Sequence, residues 1–333
     1  TYIQALTEGL DIALGEDDKA LIFGEDVGKN GGVLRTTVGL QDKYGEDRVF
    51  DTPLAESGIM GLAVGLAATG WRPIPEIQFG GFNFEPMDQI CGQIARNHFR
   101  FGGKVKMPIT IRTPFGGGTH TAEMHADNIE NYFTSTPGLR VVTPSNPYDA
   151  KGLIIAAVES DDPVFFMENL KLYRSKKDEI PEEKYTVPLD KAKVVREGTD
   201  VTIVSYSWML NESLRTAEKL AADGINAEVI DLISLSPIDT DTIFASVEKT
   251  HRVVIAQEAQ KMAGVGATVA SEIAENVILA LDAPIRRVAA PDPVYPAAHD
   301  EITCMPHGDG LEAKVRETVP SEVPTNPHDH GPR

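Results

Sequence analysis

Cysteine is almost missing from this chain. The two present, Cys91 and Cys304, lie far apart and form no CxxC pair. That excludes a disulfide framework and a thiolate metal site, and both are expected to be buried, reduced thiols. The eight histidines form no HExxH pattern, so zinc-hydrolase chemistry is not expected either. Basic residues are also few: Lys and Arg total 31 against 50 Asp and Glu, a formal net charge of −19. That balance disfavours nucleic acid or an anionic membrane as the main partner. It suits a cytoplasmic protein whose acidic face can steer a basic one. No run reaches the ~18 uncharged apolar residues of a membrane span. The longest candidate, Gly61 to Gly70, is short and glycine-rich. The opening Thr1-Tyr2-Ile3-Gln4 lacks a basic segment followed by an apolar stretch, so no leader is expected. There is no P-loop, no strand-anchored GxGxxG and no repeat of 20–50 residues.

What is present is ordinary core-forming material. The 333 residues are 41% hydrophobic and 24% charged, enough for two folded domains. Apolar residues at helical spacing (Ile3, Leu6, Leu10, Leu14) predict a helix over 3–15. The run Ala20-Leu21-Ile22-Phe23 predicts a buried strand that ends at Gly24. Small residues over 57–69 predict a closely packed helix, and further helices are expected at 85–100 and 148–159. Strands are expected at 74–79, 108–114, 139–143 and 163–167. Residues 175–192 interrupt this rhythm with charge and proline and read as an exposed linker. A second alternation follows: strands at 201–206, 227–230 and 253–256, helices at 211–222 and 266–281. Such alternation with buried strands is an α/β fold built on parallel sheets. The expected division is a first domain over 1–180, a linker over 181–192, a second domain over 193–320 and a flexible tail over 321–333.

Three stretches carry side chains suited to chemistry. In Asp51-Thr52-Pro53-Leu54-Ala55-Glu56-Ser57-Gly58, Glu56 stands at a loop-to-helix junction. It either favours the helix dipole or is a poorly solvated carboxyl able to share a proton with a heterocyclic nitrogen. Gln78-Phe79-Gly80-Gly81-Phe82-Asn83-Phe84-Glu85 follows a strand. Its glycines permit close backbone approach, and its phenylalanines offer either a stacking face or core packing. Gly116-Gly117-Gly118 after a strand reads as a mobile or closely approached loop, and it leads to His120 and His125. These are either exposed turn histidines or proton donors at an active-site mouth. Gly308-Asp309-Gly310 looks like the start of a diphosphate-magnesium motif, but the asparagine that motif needs downstream is not there.

Together these stretches resemble one family. GEDVG at 24–28, RVFDTPLAESG at 48–58, PEIQF at 75–79, TPFGGG at 113–118, HAD at 125–127, PSNPYDAKGL at 144–153 and PDPVYP at 291–296 are similar to the beta subunits of the 2-oxo-acid dehydrogenase decarboxylating components. The similarity runs from about residue 2 to about 318, and the bacterial pyruvate-using type is nearest in motif. The resemblance implies two doubly wound α/β domains: a transketolase-like pyrimidine-binding domain and a transketolase C-terminal domain. It implies thiamine diphosphate as cofactor, with Mg2+ and the diphosphate held mainly by an alpha subunit in an α2β2 heterotetramer. It implies oxidative decarboxylation of pyruvate in a bacterial cytoplasm, with reductive acetylation of a lipoyl domain on an acyltransferase core. The C-terminal domain docks the subunit-binding domain of that core.

By the same resemblance Glu56 bonds the pyrimidine nitrogen and activates the cofactor, with Gln78 and Phe82 lining the pyrimidine pocket. His125 serves the lipoyl step, and His120 and Glu85 are secondary candidates. Family members also hold a monovalent cation, commonly K+, on backbone carbonyls that match Ala157, Val158, Ser160 and Asp162. Two positions depart from the pattern: Ala126 replaces the usual serine after the histidine, and the chain from about 306 is unlike the usual helical ending. A branched-chain 2-oxo acid or acetoin is the alternative substrate. In a different class, the chain is a non-catalytic assembly subunit.

Overall fold

The computed structural model describes residues 1–175, 177–294, 296 and 298–319; the tail expected at 321–333 lies outside the described residues. The first half holds β1 (Ala20–Gly24), β2 (Val49–Asp51), β3 (Arg72–Glu76), β4 (Thr110–Phe115), β5 (Arg140–Val142) and β6 (Val164–Asn169). Its helices are α1 (Tyr2–Glu16), α2 (Leu40–Tyr44), α3 (Glu56–Ala68), α4 (Ala95–Arg100), α5 (Glu130–Thr134), α6 (Pro147–Glu159) and α7 (Leu172–Ser175). The second half holds β7 (Lys193–Arg196), β8 (Val201–Ser205), β9 (Ala227–Asp231), β10 (Ser234–Ser236), β11 (Val253–Gln260) and β12 (Arg286–Ala290). Its helices are α8 (Trp208–Ala222), α9 (Thr240–Thr250), α10 (Val265–Asn276), α11 (Glu301–Cys304) and α12 (Gly308–Thr318).

Two sheets result, ordered β10-β5-β6-β4-β3-β1-β2 and β12-β11-β8-β9-β7. Both are parallel as expected, but each carries one antiparallel edge strand, β10 and β7. β10 comes from the second half yet pairs with β5 of the first. One buried apolar cluster likewise runs from Phe23 and Phe133 to Leu235 and Val265, so the halves share a core.

Local rules explain the elements. Thr1 and Gln4 form a capping box for α1, which buries Tyr2, Leu6, Leu10 and Leu14. At Gly9 a Cβ would stand 3.2 Å from the Lys151 carbonyl, so glycine lets α1 lie directly on α6. Strands β3, β4 and β6 are also tied by a buried charge network. Arg112 bonds Glu76 at 2.6 Å and both oxygens of Glu168 at 2.7 and 2.9 Å, and the Tyr173 hydroxyl donates to Glu168 at 2.6 Å. Removing one member would strand a buried charge, which makes this network a rigid base for the loops above it.

Several expectations need correcting. The helix foreseen at 85–100 is π-helical over Asp88–Ile94 and becomes α-helical only in α4. The helix foreseen at 266–281 stops at Asn276, followed by a 3-10 turn over Ile278–Ala280. The described residues of 175–192 are mostly exposed, but the segment is anchored: Val187 is buried, and buried Lys151 donates to the Pro181 and Glu182 carbonyls. Its charges face solvent, while two of its carbonyls solvate the Lys151 ammonium of α6, whose charge is paired with Glu8 at 2.7 Å. Within the stretch from 306, residues Gly308–Thr318 are helical after all, as α12, and Gly308-Asp309-Gly310 is simply its first turn. Both cysteines are free but half-buried rather than buried.

Candidate active site

The chemistry-bearing stretches meet above the C-terminal ends of β1, β2, β3 and β4, where loops of a parallel sheet gather. Glu56 is the first residue of α3 and is half-buried rather than desolvated. The desolvated carboxyl is its neighbour Glu25, just beyond β1. Glu25 is 5% exposed and neither of its oxygens has a hydrogen-bond partner. Burial, and then the charge of Glu56, pushes its pKa up to about 7. Sequence reasoning used Glu25 only as part of a motif. The available signal was an acidic residue directly after a fully apolar strand.

Glu85 has a definite task. Ala55 at the α3 N-cap offers no side-chain acceptor, and the Glu85 carboxylate takes the Ser57 N–H at 2.5 Å instead. The Ser57 hydroxyl returns a bond to the Glu85 carbonyl at 3.2 Å. A residue remote in sequence thus caps the helix that presents Glu56, and its charge suits that terminus.

Gln78 and Phe82 follow β3, both half-buried. Phe82 stands edge-on to Phe79 with ring centroids 6.0 Å apart. His125 completes the aromatic cluster, 4.5 Å from Phe79 and 5.0 Å from Phe82 between centroids. Its Nδ1 lies 2.9 Å from the Glu123 carbonyl. A carbonyl only accepts, so Nδ1 carries the proton and Nε2 is left as the exchanging nitrogen. The close approach expected at Gly80 and Gly81 is made by the chain itself. Gly81 donates to the Met124 carbonyl at 3.1 Å, and a Cβ on Gly81 would stand 2.6 Å from Asp127 Oδ2. These glycines therefore let the histidine loop lie on the phenylalanines. Where the family's serine was expected, Ala126 is buried against Met305. The Glu123 carbonyl and the two phenylalanine rings orient His125 instead.

His120 is not brought to this cluster. Its side chain is 62% exposed, and Nδ1 bonds the Ala298 carbonyl at 3.0 Å. The glycine loop before it is also not loose: Gly117 donates to Glu258 and Gly118 to Glu301.

The carbonyls named for a monovalent cation already have protein donors. Arg72 donates to Val158 and Ser160 at 3.0 and 2.9 Å. The Ser160 N–H reaches Ala157 at 3.2 Å, and the Ser160 hydroxyl reaches Asp162 at 2.9 Å. Each of these carbonyls keeps a second lone pair beyond the one so engaged. Among the described residues no cluster of three or more His, Cys, Asp or Glu side chains is arranged to hold a metal ion. No helix among them is long and apolar enough to cross a membrane.

For a pyrimidine ring the fit is good. Glu25 supplies unpartnered buried carboxyl oxygens, Glu56 a second carboxyl near enough to raise the pKa of Glu25, and Phe82, after the adjacent strand β3, an aromatic edge.

Comparison with known proteins gives the family. Residues 1–176 match the family model of the transketolase pyrimidine-binding domain, and 190–305 that of the transketolase C-terminal domain. The chain is 56% identical over 319 residues to a pyruvate dehydrogenase E1 component subunit beta of Staphylococcus epidermidis, covering 96% of this chain and 98% of that one. A protein of the same name from Staphylococcus aureus matches with the same identity and coverage. A solved structure of a split-gene transketolase, an inactive beta4 tetramer, matches with a TM-score of 0.78 at 25% identity, covering 95% of this chain and 96% of that one.

Proposed function

The chain belongs to the family of pyruvate dehydrogenase E1 component beta subunits, and on that footing we propose that it supplies the pyrimidine side of a thiamine diphosphate site shared with an alpha subunit. The assembled α2β2 enzyme decarboxylates pyruvate oxidatively and passes the acetyl unit to lipoyl-lysine on an acyltransferase. Mg2+ and the diphosphate are assigned to the alpha subunit. A K+ ion on the carbonyls of Ala157, Val158, Ser160 and Asp162 belongs to the same reading, because each accepts one protein hydrogen bond and keeps a second lone pair.

When bound, thiamine diphosphate supplies the electron sink that decarboxylation needs. This chain's residues do the rest. Glu56, held at the start of α3 by Glu85, exchanges a proton with the pyrimidine nitrogen. Glu25, with its raised pKa, carries a proton beside Glu56 near neutral pH and limits the negative charge gathered there. Phe82 and Gln78 line the ring's pocket. His125 is fixed on Phe79 and Phe82 with Nε2 available, so in its protonated form it donates to the departing lipoyl sulfur.

The observation that carries this reading is the convergence of Glu56, Phe82 and His125, from three separate connections, on one end of one parallel sheet. The test is Glu56→Gln in the reconstituted tetramer, assayed with pyruvate and with 2-oxoisovalerate. An amide cannot cycle the proton, so turnover of pyruvate should fall about 10²–10⁴-fold. Full retained activity would make the chain an assembly subunit, and a wild-type preference for 2-oxoisovalerate would move the substrate to the branched-chain class.

A further inference from the structure

The glycine loop after β4 is gripped by two buried carboxylates from the second half of the chain, and neither lies in the stretches that form the mouth of the site. Glu258, near the end of β11, is 2% exposed. One of its oxygens accepts the Gly117 N–H at 2.5 Å, and the other accepts the Asn169 amide at 3.1 Å. Glu301, the first residue of α11, is 1% exposed. One oxygen accepts the Gly118 N–H and the other the His120 N–H at 2.7 Å. Ala298 adds a backbone bond to the Thr121 carbonyl at 3.0 Å.

The loop so held is not one the chain adopts easily. Backbone φ is positive at Gly116 (87°), Gly118 (87°), His120 (57°) and Met124 (65°). Positive φ is uncommon for a residue with a side chain, and less readily adopted by methionine than by histidine. The glycines also make room for the grip, since a Cβ on Gly116 would stand 3.0 Å from Glu258 Oε1. Among the described residues neither carboxylate has a Lys or Arg within ion-pair distance; Lys171 acts on both from farther away, and His120 lies 3.9 Å from Glu301. Their oxygens are taken up instead by the Gly117, Gly118 and His120 N–H groups and the Asn169 amide. Charge-assisted bonds of this kind are short and strong, and here they run from one half of the chain to the other.

We propose that Glu258 and Glu301 are positioning residues for the acyl-transfer step: they fix the loop from 116 to 121 and so fix where His125 stands over Phe79 and Phe82. The proposal rests on the reading of His125 as the group that serves the lipoyl sulfur. Glutamine keeps the shape of Glu301 but has one acceptor where two N–H groups arrive, so one bond is replaced by opposed donors.

The test is Glu301→Gln and Glu258→Gln, each in the assembled enzyme, with two readouts. The first is amide hydrogen exchange over 116–125, where exchange should rise at least about tenfold while β4 and β11 stay protected. The second is a pair of rates with pyruvate. Acetylation of the lipoyl domain should fall about 10–100-fold, as for a misplaced group, while dye-coupled decarboxylation and the KM for pyruvate change less than about twofold. Unchanged loop exchange in both variants overturns the grip. Raised exchange with unchanged lipoyl acetylation, or equal loss in both rates, overturns the positioning role. If Glu301→Gln does not assemble, Glu258→Gln decides on the same criteria. His125→Ala run beside them separates the two ideas: if it leaves lipoyl acetylation intact, the role of His125 has failed, and the grip is judged on exchange alone.

Discussion

Replacing Glu130 by glutamine tests how burial sets the charge behind the site. Glu130 opens α5, is fully buried, and receives the Tyr206 hydroxyl at 2.8 Å on one oxygen. Its other oxygen has no partner. Burial raises its pKa from 4.5 to about 7; its own backbone N–H and Tyr206 pull the other way, and the charge of Glu258 adds to the rise. The folded protein therefore holds a proton between about pH 4.5 and 7 that the unfolded chain releases. Stability from this group is present below that window and lost as pH climbs through it. From pH 5.5 to 8.5 the loss is about 1.5 pKa units at ~1.4 kcal/mol each, or about 2 kcal/mol. Glutamine keeps an acceptor for Tyr206 and does not titrate. Any cost of its unpaired amide, about 1–3 kcal/mol, is the same at every pH. The stability of the variant relative to wild type should thus improve by about 2 kcal/mol between pH 5.5 and 8.5. Equilibrium urea unfolding of both assembled proteins at the two pH values measures it. A difference that stays constant across pH would mean that Glu130 does not titrate in this window, and that the burial argument fails.

Three further outcomes follow from the site. His125→Ala should reduce lipoyl-domain acetylation by about 10²-fold or more while dye-coupled decarboxylation persists; equal loss in the two assays would place His125 at an earlier step. Glu85→Ala removes the cap of α3, so its first turn should lose about 0.5–2 kcal/mol and exchange amide hydrogens faster around Ser57. Unaltered exchange there would show that the helix start does not depend on Glu85. Glu25 titrates near 7, neutral below and charged above. In Glu25→Gln the rate of cofactor activation, followed as thiazolium proton exchange, should lose its inflection near neutral pH, and a profile matching wild type would remove Glu25 from the site's acid–base behaviour.

The sheet strands and most helices were legible because each buries its own pattern. The stripe of α1 and the apolar run of β1 depend on neighbours within a few residues. Glu56, Phe82 and His125 were legible as candidates because each lies in or at the end of the connection that follows a strand, where side chains are free to act. Their surroundings were not. Nothing near Glu25 in sequence indicates that Glu56 is beside it, nothing near Ser57 names Glu85 as its acceptor, and nothing in Gly116–Gly118 points to Glu258 and Glu301. The anchoring of segment 181–187 was hidden for the same reason. Its composition speaks for water and most of it is exposed, but the buried amine of Lys151 holds two of its carbonyls.

The amino-acid sequence by itself determined the α/β class, the alternation of elements and the family to which the chain belongs, because local burial periodicity and short motifs are properties of neighbouring residues. Tertiary structure alone decided that β10 crosses to the first sheet, that Glu25 rather than Glu56 is the desolvated carboxyl, and that the histidine loop is held by carboxylates from the far end of the chain. Hydrogen bonds and desolvation depend on which distant segments the topology brings into contact, and a carboxylate carries the same letter in the sequence whether it meets water, a helix start or a loop of glycines.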